Sequence, residues 1–565
     1  MSSVEPPEGP FTEHDPFDPV ELSTESAASE FERVTAQETA RHATPAAHVP
    51  AAGSAAPPNA PAAEPNLLER ALKAAGSDAA RYLPVRFIPA LTSLVTTPLF
   101  TRAIDSADYG AFYLLSSVAS LLAAVAISWL QSASIRFYWP ARKADNLNGY
   151  TSTIVWTGLT SLAATAAVTG TAAFLARDLA GPTLMRLVPV GLAYFIISFY
   201  AAAMLQVLRA ANRASAYARL QVGSTVLVTA LSVAFVWYAK WGALGILAAA
   251  AIGNLVFLPF ILRSIGQEGT LSPRAVDRTL LREFLDYGLP LVPGGVAGWA
   301  LVVLDKFIIQ AFRGPAEVGV YSVTYGLGDK IMGLVTMPLL MTMMPSLIEA
   351  YEKHGQGLAE KVQKQFTRYF ALLTFPLLAG MSAAALVFMQ VFTGPDYREA
   401  YGALTLVAAG SMLGSFAQIA GAGLGIHKKT KLIMVNVLIA AAFNTVLNVI
   451  FVPRYGYMAA AWATPASYAL LLVITWSQSR RYMVWLIPWL DLGRILAASA
   501  GMFLVVSAMT RYLPANLYVL LAQVVAGIVA YTALLLVFGG VRTDERRFLA
   551  GMVSRGLGRL TGRRG

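Results

Sequence analysis

Between residues 82 and 539 the chain is a succession of apolar runs of about 20 residues, separated by short hydrophilic turns. A helix rises ~1.5 Å per residue, so each run can cross the ~30 Å of a bilayer's hydrocarbon. An unpaired backbone N–H or C=O finds no water there, so runs of this length must fold as spanning helices. Fourteen are read, over 82–103, 109–131, 150–175, 186–208, 217–238, 242–263, 284–311, 318–347, 368–392, 401–425, 432–452, 456–478, 492–511 and 515–539. The fold class is all-α, a polytopic membrane protein, with no room for a soluble domain among the spans. Only 13% of residues are charged, against about 25% in soluble domains.

The ends differ from this body. Residues 1–66 are rich in Ala, Pro, Glu and Ser, with ten acidic residues before position 40. Such a segment buries too little surface to offset its ordering entropy, so a disordered cytoplasmic tail is expected. Residues 67–81 fit a short interfacial helix, and 541–565 form a basic tail. No signal-peptide pattern precedes the first apolar run. The net charge of +11 would suggest nucleic acid if it lay on one face, but it lies in short loops and the tail. Alternate connections, with residues 67–81 and the C-terminal tail, hold 30 Lys and Arg, and the remaining ones 8. That asymmetry places both termini in the cytoplasm, in a multi-pass inner (cytoplasmic) membrane protein, and demands an even number of spans. The two sides are called below the basic face and the sparse face.

The chain has no cysteine, no HExxH and no Walker motif. No metal site, no cofactor and no ATP hydrolysis are therefore expected.

The spans repeat. ADYGAFYLLSSV at 107–118 opens the second and AEVGVYSVTYGL at 316–327 the eighth, each with an acid, a glycine and an aromatic at matching positions. LRAANRASAYARL at 208–220 corresponds to GIHKKTKLIMVNV at 425–437, and KWGALGILAAA at 240–250 to RYGYMAAAWAT at 454–464. Six spans followed by six in the same orientation imply two lobes related by an axis along the membrane normal. The expected lobes are 82–263 and 284–478, with a cytoplasmic linker at 264–283 and two additional helices in 479–540.

The segments at 101–138 (TRAIDSADYGAFYLLSSVASLLAAVAISWLQSASIRFY) and 285–327 (LDYGLPLVPGGVAGWALVVLDKFIIQAFRGPAEVGVYSVTYGL) resemble polysaccharide-export flippases. These form the O-antigen and exopolysaccharide branch of the multidrug/oligosaccharidyl-lipid/polysaccharide (MOP) exporter superfamily. The resemblance covers about 82–480. It implies two six-helix lobes around a central cavity, two further helices packed outside, and a transporter rather than an enzyme. It also implies the cargo, an undecaprenyl-diphosphate-linked oligosaccharide turned between leaflets for exopolysaccharide or lipopolysaccharide biosynthesis. Membrane lipids, a polysaccharide polymerase and a chain-length regulator are the implied partners.

A diphosphate calls for cations inside the bundle, and an ionisable group at membrane depth costs about 3 kcal/mol on insertion scales. Few candidates exist. Arg86 lies one turn into the first span, Asp305 and Lys306 in the outer part of the seventh, and Asp329 and Lys330 in the eighth. Arg86, Lys306, Asp329, Lys330 and, at the mouth, Arg136 are the candidate cavity residues; Asp305 and Asp329 are candidates for ion coupling. Each also has a plainer reading: Arg86 and Arg136 as interfacial anchors, the Asp–Lys pairs as inter-helix pairing. Adjacent helical residues point about 100° apart, so neither pair should present both groups to one point. Pro290, Pro293, Pro338, Pro345 and Pro376 are expected to kink spans. GGVAG at 294–298 and GAGLG at 421–425 are expected to let helices approach closely.

A lipid II or teichoic-acid flippase and a cation-coupled multidrug extruder are the alternative transporters. The extruder is disfavoured because the spans before residue 280 carry essentially no deep acid. A membrane glycosyltransferase or polymerase would need a sizeable outer loop with paired acids. Asp105 with Asp108, and Asp396 with Glu399, are the nearest approaches, and both read as helix-start caps.

Overall fold

The computed structural model describes residues 88–541 except 90 and 176, with backbone alone for 177–187. The tail over 1–66, the interfacial helix over 67–81, Arg86 and all but the first residue of the basic tail lie outside these residues. Every regular element among the described residues is a helix. Thirteen of them are long and apolar enough to cross a membrane. The first expected span is described only in part, as α1 (91–103).

The N-terminal lobe continues with α2 (Ser106–Ala126), α3 (Ser128–Lys143), α4 (Leu147–Leu175), α5 (Arg177–Ala210), α6 (Ala214–Trp237) and α7 (Gly242–Ile265). A short helix, α8 (Arg278–Gly288), leads into the C-terminal lobe. That lobe comprises α9 (Val292–Arg313), α10 (Pro315–His354), α11 (Gln356–Phe392), α12 (Tyr401–Ala420), α13 (Ala422–Ile426), α14 (Thr430–Tyr455) and α15 (Tyr457–Ser479). Two more, α16 (Trp489–Tyr512) and α17 (Leu517–Val537), follow.

Two expected spans are broken. The second bends at Ile127, whose φ and ψ of −132° and −17° leave the helical region, and resumes as α3 to Lys143. The seventh is interrupted by a 3-10 turn, Leu289–Leu291. Pro290 lies within that turn and Pro293 in the first turn of the helix after it, and neither supplies an N–H. Pro338, Pro345 and Pro376, by contrast, sit inside continuous helices.

The linker between the lobes is fastened to the N-terminal lobe. Thr151 and Ser152 donate to the Thr270 carbonyl (2.7 and 2.8 Å), and Trp156 to that of Leu271 (2.9 Å). Tyr138 donates to Glu268 (2.7 Å), which also pairs with Arg213 (3.2 Å). Asp277 caps α8 through the amides of Thr279 and Leu280 and accepts from Asn146 (2.8 Å). Those bonds, the Leu280 amide foremost, hold its carboxyl below the ordinary carboxylate range. Its stabilisation is therefore complete at neutral pH and fades only in strong acid. Phe284 of α8 is fully buried in the same core as Trp129, Tyr138, Tyr150 and Leu208. The helix that opens the seventh span therefore packs with the N-terminal lobe.

At the other end α16 and α17 pack along α11. Arg368, counted among the loop cations in the sequence, is fully buried. Its Nε lies 3.1 Å from Asp491 Oδ2, and its guanidinium donates to the Gly540 carbonyl (2.7 Å). Tyr531 donates to the Leu372 carbonyl and Thr510 to that of Ala383, so the attachment runs the length of the helices. Removing one partner of a buried ion pair costs about 3–5 kcal/mol. Arg368→Ala should accordingly lower the melting temperature of the purified protein, and combining Arg368→Met with Asp491→Leu should restore much of it. An unchanged melting temperature in Arg368→Ala would show that the pair does not hold these helices.

Candidate functional site

The lobes meet where the sequence repeat begins. A Cβ added to Gly110 would lie 1.9 Å from the Pro315 carbonyl oxygen, and one added to Gly319 would lie 2.0 Å from that of Ser106. Each partner is the other's equivalent at the repeat offset of 209 residues. The first turns of α2 and α10 thus cross backbone to backbone about a local two-fold, and only glycine permits it.

Each repeated acid serves the start of the last span of its own lobe. Glu317 accepts from the amide of Tyr457 at the start of α15 (2.9 Å), and Asp108 lies beside Gly242 at the start of α7. A carboxylate at a helix N-terminus meets unpaired amides and the positive end of the dipole. Gly242 and Gly456 take φ of +53° and +60° to make those turns.

Around the crossing, Phe100, Ile104 and Tyr109 pack with Val323, Leu327, Met389, Tyr397 and Leu404 of the other lobe. Arg102 donates to the Val391 carbonyl (2.6 Å), and the Gly394 amide to Thr101 (3.0 Å). The interface is therefore sealed toward the sparse face.

Deeper in the bilayer the eighth span carries a different surface. Asp329 and Lys330 are exposed, as are Met337 and Met341 one and more turns on, and a Cβ added to Gly333 would meet nothing within 4 Å. Lys330, Gly333, Met337 and Met341 share one helical face. The Lys330 ammonium donates to Ser93 of α1 (2.5 Å), a charged link between the lobes at mid-membrane. Asp329 accepts from Ser411 of α12 (2.8 Å), within its own lobe. These neighbours point apart, as their helical positions require. Gly295 and Gly298 of α9 likewise face open space, while a Cβ added to Gly294 would lie 3.9 Å from Met434 of α14. GAGLG is a packing seam: Gly421, Gly423 and Gly425 abut Thr475, Ser479 and Met344.

Asp305 and Lys306 lie elsewhere, inside the C-terminal lobe, 2% and 6% exposed. The Lys306 ammonium reaches to 3.7 Å from its neighbour's carboxylate. The four-carbon stem closes the angle that separates the two Cβ directions. Arg136 is exposed on α3 toward the basic face. The two Asp–Lys pairs thus lie apart, one buried and one at the interface, with Arg136 separate from both. Ser93, Ser411 and Thr464, which help complete them, have no sequence signature distinguishing them from other small polar residues in spans, whereas Tyr321 is the aromatic of the repeated motif.

A recess of about 810 Å³ opens between α2, α4, α5 and α9, lined by apolar side chains such as Leu115, Leu122, Leu192 and Phe307, with Asp105, Asp108 and Gln310 among its polar groups. None of the predicted site residues among the described residues lines it.

The sequence profile of the family described as polysaccharide biosynthesis protein matches residues 77–351. The chain is 25% identical over 193 residues to a probable low-salt glycan biosynthesis flippase, Agl15, of Haloferax volcanii, covering 34% of this chain and 41% of that one. In fold it is similar to the lipid II flippase MurJ in an inward closed conformation, at a TM-score of 0.66, 14% identity, and coverage of 82% and 98%. An inward-facing MATE-family multidrug resistance transporter of the MOP superfamily aligns at 0.55, also 14% identical, over 71% and 94%. The chain shares the fold of these transporters.

It is a multi-pass membrane protein, and the α2–α10 crossing stands where its two lobes meet. An added methyl in a close-packed contact costs about 1–3 kcal/mol, which is roughly a 5- to 150-fold change in the ratio of two states. Gly110→Ala and Gly319→Ala should each open the sparse-face seal. The chain has no cysteine of its own, so Gly333→Cys reports access without background. Its labelling by a membrane-impermeant maleimide from the sparse face should rise in both alanine variants; unchanged labelling would mean the crossing does not close that side.

Proposed function

We propose that the protein flips an undecaprenyl-diphosphate-linked oligosaccharide from the cytoplasmic to the outer leaflet of the cytoplasmic membrane, for exopolysaccharide or O-antigen synthesis. The single observation that carries this reading is the exposed Lys330 at the interface between the lobes, in mid-membrane. A cation kept there without a buried partner stabilises an anionic cargo group and otherwise costs several kcal/mol. The open faces at Gly295, Gly298 and Gly333 leave room beside it for sugar, while the polyprenyl tail stays in lipid. The profile match to polysaccharide biosynthesis proteins and the similarity to a glycan flippase support the cargo class.

The basic face is taken as cytoplasmic, so the sealed crossing is the outer gate and cargo enters from the cytoplasm. Arg86 and Arg136, one preceding α1 and the other on α3, are proposed to gather the diphosphate on that side. Of the two acids proposed for ion coupling, Asp329 is the one exposed at the interface. The flipped product would pass to a polysaccharide polymerase and its chain-length regulator.

The test is a leaflet-resolved assay of lipid-linked sugar in a strain lacking the chromosomal copy. Lys330→Gln should leave the sugar on the cytoplasmic face, with Lys330→Arg retaining most transport. Asp329→Asn should abolish the response to a collapsed proton gradient. Normal export by Lys330→Gln would overturn the reading.

A further inference from the structure

The buried pair in α9 sits in an assembled cage. Asp305 Oδ2 accepts from the Tyr321 hydroxyl (2.5 Å), and Oδ1 accepts from the backbone amide of Lys306 (2.8 Å). The Tyr321 hydroxyl in turn lies 3.4 Å from Thr464 Oγ1 of α15. The Lys306 ammonium donates to the Val302 carbonyl (2.9 Å), stands 3.7 Å from Asp305, and lies over the rings of Tyr325 (4.5 Å) and Tyr321 (5.9 Å). Three helices close the cage, and every one of these side chains is at most 8% exposed.

One carboxylate, one carbonyl, one hydroxyl and two aromatic faces are what a desolvated monovalent cation requires. The carboxylate alone would be costly at this depth, and a positive charge beside it restores neutrality. We infer that Lys306 is a tethered cation: its ammonium fills a monovalent-cation pocket in the C-terminal lobe, and the native protein binds no dissociable cation there. This rests on the cage and not on the cargo. It has a consequence for transport, because an acid already neutralised by its own chain cannot exchange a cation with either side. Coupling then falls to Asp329.

The full-length protein in lipid nanodiscs tests this by melting temperature in sodium, potassium, methylammonium or N-methylglucamine chloride at equal ionic strength. Wild type should melt at one temperature in all four salts. Lys306→Ala, which vacates the cage, should melt lower in N-methylglucamine and recover saturably in at least one small cation. Lys306→Met, which fills the space without charge, should not recover, nor should Lys306→Ala combined with Asp305→Asn. Recovery by Lys306→Ala no greater than by Lys306→Met would overturn the inference. So would stabilisation of wild type by sodium or potassium that Asp305→Asn removes. That second comparison decides the matter even if Lys306→Ala fails to fold. Both readouts are of stability, so they stand whether or not the proposed cargo is right.

Discussion

Two helices that begin the two halves of the chain touch through their backbones, at Gly110 and Gly319, with no side chain between them. Much of the interface geometry follows from that contact. It fixes the local two-fold between the lobes and brings the acids Asp108 and Glu317 to the starts of α7 and α15. It also draws Phe100, Tyr109 and Tyr397 into an apolar plug on the sparse side. Below the plug the same two helices separate, and the polar groups of the eighth span find Ser93 and Ser411 rather than a sealed core.

The bilayer explains which polar groups are buried and how. Each buried charge has a partner of its own: Asp305 with Lys306, and Arg368 with Asp491. Lys330 is exposed, hydrogen-bonds a serine hydroxyl and interacts electrostatically with Asp329, with no salt bridge among the described contacts. A medium that penalises unpaired charge by several kcal/mol makes that difference informative. Paired ions hold helices together, and the exposed cation is the one proposed to meet cargo.

The spans were legible because their signal is length and apolarity, which lipid imposes directly. The repeat was legible too, and the Gly110 and Gly319 motifs turned out to face each other. The break at Ile127 carries no proline or glycine to announce it, and nothing in the residue pattern separates it from a continuous span. Arg368 follows a basic loop and reads as an interfacial anchor; its burial depends on Asp491, 123 residues further along. GGVAG and GAGLG look alike in sequence, yet all three glycines of the second abut neighbouring side chains while Gly295 and Gly298 of the first face open space, because glycine spacing shows that approach is permitted and not that a partner is there. The separation of the Asp–Lys pairs into a buried cage and an exposed interface likewise depends on which helices surround them.

The central claim is that the lobes pivot about an interface sealed at one end at a time. Spin labels on introduced cysteines can measure it by dipolar distance, because the native chain has none. One pair would join the lobes on the sparse face, at Lys240 and Arg398, and another on the basic face, at Asn212 and Lys429. Across conditions that shift the protein between states, the account predicts that one distance lengthens as the other shortens. Two distances that stay fixed, or that change in the same direction, would contradict it.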